Sequence, residues 1–139
     1  MIASSTTGKR SPRRGTAAVE FALVAPIFFC LLLGIIEFGR MLMVQQILVN
    51  AAREGARASI LPGETDAQVT TVVSNYMTAS GISGYNAGPY TTPTLASNPA
   101  SGTALTVTVS VPCAKVSWLS YSSWFQGQTL SSSVAMMKE

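Results

Sequence analysis

The sequence predicts an α+β chain. A long N-terminal transmembrane helix extends into a rod, and a small exported domain follows, with one amphipathic helix and a short antiparallel sheet. Three observations predict this. Phe21 to Ile36 form an uncharged apolar run of 16 residues. No turn cluster interrupts the chain after that run until Leu61-Pro62-Gly63. Beyond this stop the apolar spacing changes, first to a helical period and then to strict alternation.

The apolar run alone falls short of the roughly 20 residues that a helix needs to cross the hydrocarbon core. Counting from Thr16 gives 21 residues, with one acid at Glu20. The segment therefore spans only if its Glu20 end lies at one interface. With 47% hydrophobic and 11% charged residues, the chain is poorer in charge than a soluble domain, where about a quarter is usual. Its net charge of +3 is local in origin: residues 1–14 carry four bases and no acid, and residues 15–139 carry five bases and six acids. A basic tail beside an apolar helix fits the positive-inside rule, which keeps Lys9, Arg10, Arg13 and Arg14 in the cytoplasm and exports the chain after Ile36. Nucleic acid is not an expected partner, because no basic helix with interleaved aromatics is present.

The small-residue step stands before the apolar run, at Gly15, and no Ala-x-Ala step follows the run at the distance a secretory signal needs. A cut at Gly15 would remove the charged tail and leave the hydrophobic helix as a new N-terminus. Gly15 followed by Thr-Ala-Ala-Val-Glu20-Phe21 resembles the processing site of the Tad (tight adherence) pilus pseudopilins. The longer match RRGTAAVEFALVAPIFFCLLLGIIEFGR, with NAAREGARA after it, resembles the TadE-like family over about residues 13–60. The resemblance implies a pilin-like fold. It places Gly15 before the scissile bond and makes Thr16 the first mature residue, Glu20 the fifth and Phe21 the sixth. It also implies a prepilin peptidase as processing partner, and other Tad pilus assembly proteins or pilin-like subunits as assembly partners. In such assemblies the acid pairs with a neighbouring subunit's N-terminal ammonium, which offsets desolvation and sets axial register. Read from the residues alone, Glu20 is an interfacial acid that snorkels toward Arg14 or water.

Within the run, Pro26 lacks an N–H and should bend the helix. The helix is expected to continue from Glu37 to Ile60. Phe38, Met41, Leu42, Gln45, Leu48, Ala52, Gly55 and Ser59 trace a near-heptad stripe, and Ala51, Gly55 and Ser59 form a small-residue row for helix packing. Glu37–Arg40 and Glu54–Arg57 are expected as i,i+3 pairs. The stripe needs a partner, either the chain's own domain or sibling helices. An unbroken helix over 16–60 would measure about 67 Å at 1.5 Å per residue.

After the stop, Thr65-Asp66-Ala67-Gln68 reads as a capping box. Val69, Val72, Val73, Tyr76 and Met77 then lie on one helical face, and Gly81 ends the helix. Residues 81–103 are loop-rich, with an irregular edge strand expected over Tyr90–Leu95, where Pro93 confines it to an edge. Leu105, Val107, Val109 and Val111 alternate with polar residues, the clearest strand in the chain, and Pro112 ends it. Residues 113–128 hold Trp118, Leu119, Tyr121, Trp124 and Phe125, read as a loop or short helix that covers a small core or dips into the membrane interface. Thr129–Met137 reads as a final strand antiparallel to 104–111.

Cys30 in the bilayer cannot pair with Cys113 outside it, so Cys113 is expected to be buried or to bridge two subunits. The chain has no His, its six acids are dispersed, and it shows no metal-ligand spacing or phosphate loop. No catalytic residue, metal, cofactor or small-molecule substrate is expected. The expected organisation is a basic cytoplasmic leader over 1–15, a transmembrane helix with its extension over 16–60, and a small extracytoplasmic α+β domain over 61–139. The expected role is a minor pilin-like subunit of a single-pass kind in a bacterial inner membrane, acting in Tad-type pilus assembly and adherence. Two further readings stay open: a permanently anchored periplasmic scaffold or binding protein that is never processed, and a secreted domain.

Overall fold

A computed structural model describes residues 13–118 and 127–138. The first element, α1, is a single helix, Arg13–Ser59, with Pro26 inside it. After it come α2 (Asp66–Ala79), β1 (Thr91–Thr92), a 3-10 turn (Leu95–Ser97), β2 (Ala104–Pro112), α3 (Cys113–Val116) and β3 (Thr129–Met137). The chain divides into two compact units at Ile36/Glu37, inside α1.

In the first unit, the described part of α1 leaves its apolar side chains exposed, from Val19 through Ile36. Among the described residues nothing in the unit covers them, and this stretch belongs to the one described helix long and apolar enough to cross a membrane. Glu20 is exposed among them.

The second unit is built on the rest of α1. Val44, Leu48, Ala51, Ala52, Ala56 and Ser59 are fully buried, at the three- and four-residue spacing that puts them on one helical face. Leu48, Ala51, Ala52 and Ser59 are buried as expected, but Phe38 and Leu42 are exposed, and Val44 and Ala56 are buried in addition. The chain's own domain occupies the small-residue row. At Gly55 a Cβ would lie 2.7 Å from Val73 Cγ2 of α2 and 3.0 Å from Val107 Cγ1 of β2, so α1, α2 and β2 meet there.

Helix α2 begins and ends as its sequence dictates. The Thr65 hydroxyl accepts from the Gln68 N–H while the Gln68 side chain accepts from the Thr65 N–H, a complete capping box. At the other end Gly81 has φ +72°. Its N–H donates to the Thr78 carbonyl and that of Ile82 to the Met77 carbonyl, both at 3.0 Å, and Ile82 and Met77 are both buried. This is a Schellman motif with its hydrophobic contact. Val69, Val73 and Met77 form the buried face, whereas Val72 is exposed and Tyr76 only half-buried.

The sheet is antiparallel with order β1-β2-β3. Strand β2 pairs along its whole length with β3, from Ala104↔Met137 to Pro112↔Thr129. Its Leu105, Val107, Val109 and Val111 are buried, and the alternate residues are not. Burying a Val or Leu side chain contributes roughly 1.5–3 kcal/mol, so these four and the α1 and α2 faces account for most of the small core. The edge strand is shorter than expected. Only Thr91 and Thr92 pair with β2, opposite Val107 and Thr106, and the chain then turns into the 3-10 segment. Asp66, in the first turn of α2, explains the change. Its carboxylate accepts from the Thr91 hydroxyl, from the Leu95 N–H (3.0 Å) and from the Ala96 N–H (3.3 Å), pulling this stretch toward α2. Burial raises the Asp66 pKa, but the bonds from Thr91, Leu95 and Ala96 outweigh it and leave the carboxyl below its ordinary value. On the same side of β2, Asn86 substitutes for a strand residue: its N–H donates to the Ser110 carbonyl (2.9 Å) and its Oδ1 accepts from the Ser110 N–H (2.6 Å).

Candidate functional site

The residues singled out in sequence fall into two groups, one in each unit. Gly15, Thr16, Glu20 and Phe21 lie on the first two turns of the described α1, all exposed. Thr16 and Glu20 are four residues apart, which puts them on one face of the helix, one turn from each other. Phe21 is 72% exposed beside them. Among the described residues, no atom beyond the adjoining helix backbone and chain neighbours lies within 4 Å of where a Cβ on Gly15 would be. Farther along, Phe28 and Phe29 meet edge to face, with ring centroids 5.7 Å apart. Cys30 is exposed, and Cys113 is buried as the first residue of α3.

Ala51, Gly55 and Ser59 form the second group, in the core of the other unit. The Ser59 hydroxyl donates to the Ala56 carbonyl at 2.8 Å, so its one polar group is satisfied within the helix. These residues hold the domain to its own helix. On α1 the exposed apolar face of this unit is Phe38, Leu42 and Met43 instead.

A third cluster was not anticipated from the sequence. Glu37 and Arg40 were expected to pair along the helix, but both reach the segment after β2. Glu37, only 4% exposed, accepts from the Trp118 N–H through Oε2 at 3.3 Å. Arg40 donates from Nε to the Val116 carbonyl, and its guanidinium carbon stands 5.0 Å from the centre of the Trp118 ring. Trp118 does not cover the core: it is 71% exposed. The other aromatics expected to act with it, within 119–126, lie outside the described residues. A charged pair immediately after an apolar run was the available signal. Its partners stand about 80 positions away in the chain, so spacing could not reveal them.

An open groove of about 640 Å³ runs beside α2 and the 81–90 loop, lined by Thr70, Ser74, Thr78, Ile82, Tyr85 and Tyr90 among others. The Tyr85 hydroxyl donates to the Ser74 carbonyl (3.3 Å) and that of Tyr90 to the Asn86 carbonyl (2.6 Å). Burial, and after it the neighbouring Tyr85, push the Tyr90 phenol above its ordinary value. The groove's chemistry is therefore that of hydroxyls and aromatic rings. Among the described residues, no three of Cys, Asp and Glu gather as metal ligands.

Compared with known families, residues 15–57 match the family of TadE-like proteins. The match starts at Gly15 and runs through the exposed apolar part of α1 into the part buried in the second unit. No curated protein and no solved structure matches the chain.

Proposed function

We propose that this chain, whose TadE-like segment marks it as a membrane-anchored, Tad-related protein, is a minor pilin-like subunit that takes part in assembling a Tad-type pilus for surface adherence. The observation that carries this reading is the TadE-like match beginning at Gly15, in the first turn of a helix whose apolar side chains from Val19 to Ile36 are exposed. The chain lies in an inner membrane with residues 1–15 in the cytoplasm and the second unit on the far side, as the basic tail requires.

A prepilin peptidase cuts between Gly15 and Thr16. The new Thr16 ammonium and Glu20 then stand one turn apart on an exposed helix end. A carboxylate at the centre of a bilayer costs roughly 2.5–3.5 kcal/mol, and much less at the interface where the Glu20 end lies. Pairing with the ammonium of a neighbouring subunit offsets that cost and fixes the axial register of the two helices. Phe21 and the apolar face after it supply the lateral contact. Because the chain's own domain occupies Ala51, Gly55 and Ser59, neighbouring helices meet this one through the exposed apolar residues of 19–36, and in the second unit through Phe38 and Leu42, which are 66% and 56% exposed. The second unit needs no catalytic group for this role. It is a folded unit built on residues 37–59 of α1, and it offers its surface to assembly partners.

The test is the N-terminus and intact mass of the protein recovered from membranes with and without a cognate prepilin peptidase. A new terminus at Thr16, with the protein still in the membrane, is the expected result. An intact Met1 form in the presence of active peptidase would remove the pilin-like mechanism and leave a permanently anchored scaffold. A soluble product starting beyond Ile36 would overturn both.

A further inference from the structure

The cluster at the start of the second unit has a position that chain connectivity fixes. Glu37 is joined to Ile36, the last residue of the apolar run, and consecutive Cα atoms are about 3.8 Å apart. Where residues 15–36 span a bilayer, Glu37 therefore lies at the edge of the hydrocarbon. The inference rests on that reading. The Trp118 N–H donates to the Glu37 carboxylate at 3.3 Å, so the tryptophan backbone is within a side chain's length of the same edge. The headgroup layer is roughly 5–8 Å deep on each side of the hydrocarbon core. Trp118 cannot be far from it.

Its chemistry suits that depth. An indole carries a large apolar body and one N–H, and tryptophans are enriched at membrane–water interfaces for that reason. Trp118 is 71% exposed within the folded unit. It is also held in place: Arg40 bonds the Val116 carbonyl and stands over the indole ring, and Glu37 holds the Trp118 backbone. Among the described residues, Glu37 Oε1 and Ser117 Oγ are buried with no hydrogen-bond partner, an arrangement that costs a fold stability. Trp118 is fixed and, among the described residues, exposed, and the headgroup layer beside Glu37 is within its reach. We infer that Trp118 is an interfacial anchor that seats the Val116–Trp118 corner of the domain on the lipid headgroup layer.

The experiment uses the full chain carrying Trp124→Phe, which leaves Trp118 as the one indole, in phosphatidylethanolamine/phosphatidylglycerol vesicles where added protease reaches the domain. The chain carrying both Trp118→Phe and Trp124→Phe has no indole and supplies the background. Emission shifted to the blue of a free indole, strong quenching by lipids brominated near the glycerol end of their chains, and several-fold weaker quenching by external iodide are the expected results. Iodide quenching as strong as for a free indole, without quenching by brominated lipid, would overturn the seat. Shielding from both quenchers that disappears as the protein is diluted in lipid would overturn it too, and would assign Trp118 to a contact between copies. Alkaline carbonate separates this failure from that of the underlying reading. A chain that washes off the vesicles has no span, whereas a chain that stays while iodide reaches Trp118 has a span and no seat.

Discussion

Alanine at Gly55 tests the junction on which the domain is built. In an exposed helix interior, Gly→Ala stabilises by about 0.8–1 kcal/mol because the backbone loses less freedom on folding. Gly39, on the same helix, has no atom within 4 Å of a Cβ position and should realise that gain. At Gly55 the new methyl would stand 2.7 Å from Val73 Cγ2, 3.0 Å from Val107 Cγ1 and 3.7 Å from Val69 Cγ1. Real contacts at the first distance are essentially not found, so something must shift. The nearest atoms belong to β-branched side chains, Val73 with one strongly preferred rotamer in its helix and Val107 with a restricted χ1 in its strand, which leaves them little room to yield. Overpacking of this kind costs about 1–3 kcal/mol. Set against the helical gain, Gly55→Ala should lose about 1 kcal/mol, and Gly55→Leu, with three more carbons in the same space, about 3 kcal/mol or more. The assay is urea denaturation of the full chain in detergent micelles, followed by near-ultraviolet circular dichroism, with Gly39→Ala measured beside it. If Gly55→Ala gains stability as Gly39→Ala does, then α1 does not press against Val73 and Val107, and the account of the core is wrong.

Three further outcomes are expected. Thr65→Ala removes the hydroxyl that accepts the Gln68 N–H; it should lower the domain's stability by about 1 kcal/mol, and Thr65→Ser should restore most of it in the same denaturation assay. The Asp66 carboxyl has a native pKa below its ordinary 3.8. Its contribution to stability is therefore present above about pH 4 and is lost as the pH falls through the lowered native value. Asp66→Asn should remove that part of the acid dependence and speed hydrogen exchange at the Leu95 and Ala96 amides, and an unchanged acid limb would argue against the role assigned to the carboxylate. Under the proposed function, Glu20→Gln should leave membrane insertion intact, since it removes a charge that hydrocarbon disfavours, while lowering recovery of the chain in sheared pilus fractions. Equal recovery of the variant and the parent would show that the acid does not set register.

The elements that were legible in sequence are those determined by neighbours in the chain. The capping box at Thr65–Gln68, the stop at Leu61-Pro62-Gly63, the glycine end of α2 and the alternation from Leu105 to Val111 are all local, and each stands where it was expected. Hydrophobic period and turn chemistry act over a few residues, so they survive without knowledge of the fold. The TadE-like segment was likewise legible, because its marks lie between Gly15 and Arg57 on one helix.

By itself, then, the sequence determined a helix long and apolar enough to span a membrane, the order of the elements after it, and the β2–β3 pairing. Tertiary structure alone decided which face of that helix the domain takes. The stripe holds at Leu48, Ala52, Gly55 and Ser59, but Phe38 and Leu42 give way to Val44 and Ala56, because an apolar helix offers several faces and only the partner surface selects one. It decided also that Asp66 would gather the 91–96 stretch and cut the edge strand to two residues. And it decided that Glu37 and Arg40 would leave each other for Trp118 and Val116. Pairs so far apart in the chain leave no period and no motif; the free energy that selects them comes from packing, and packing exists only once the chain is folded.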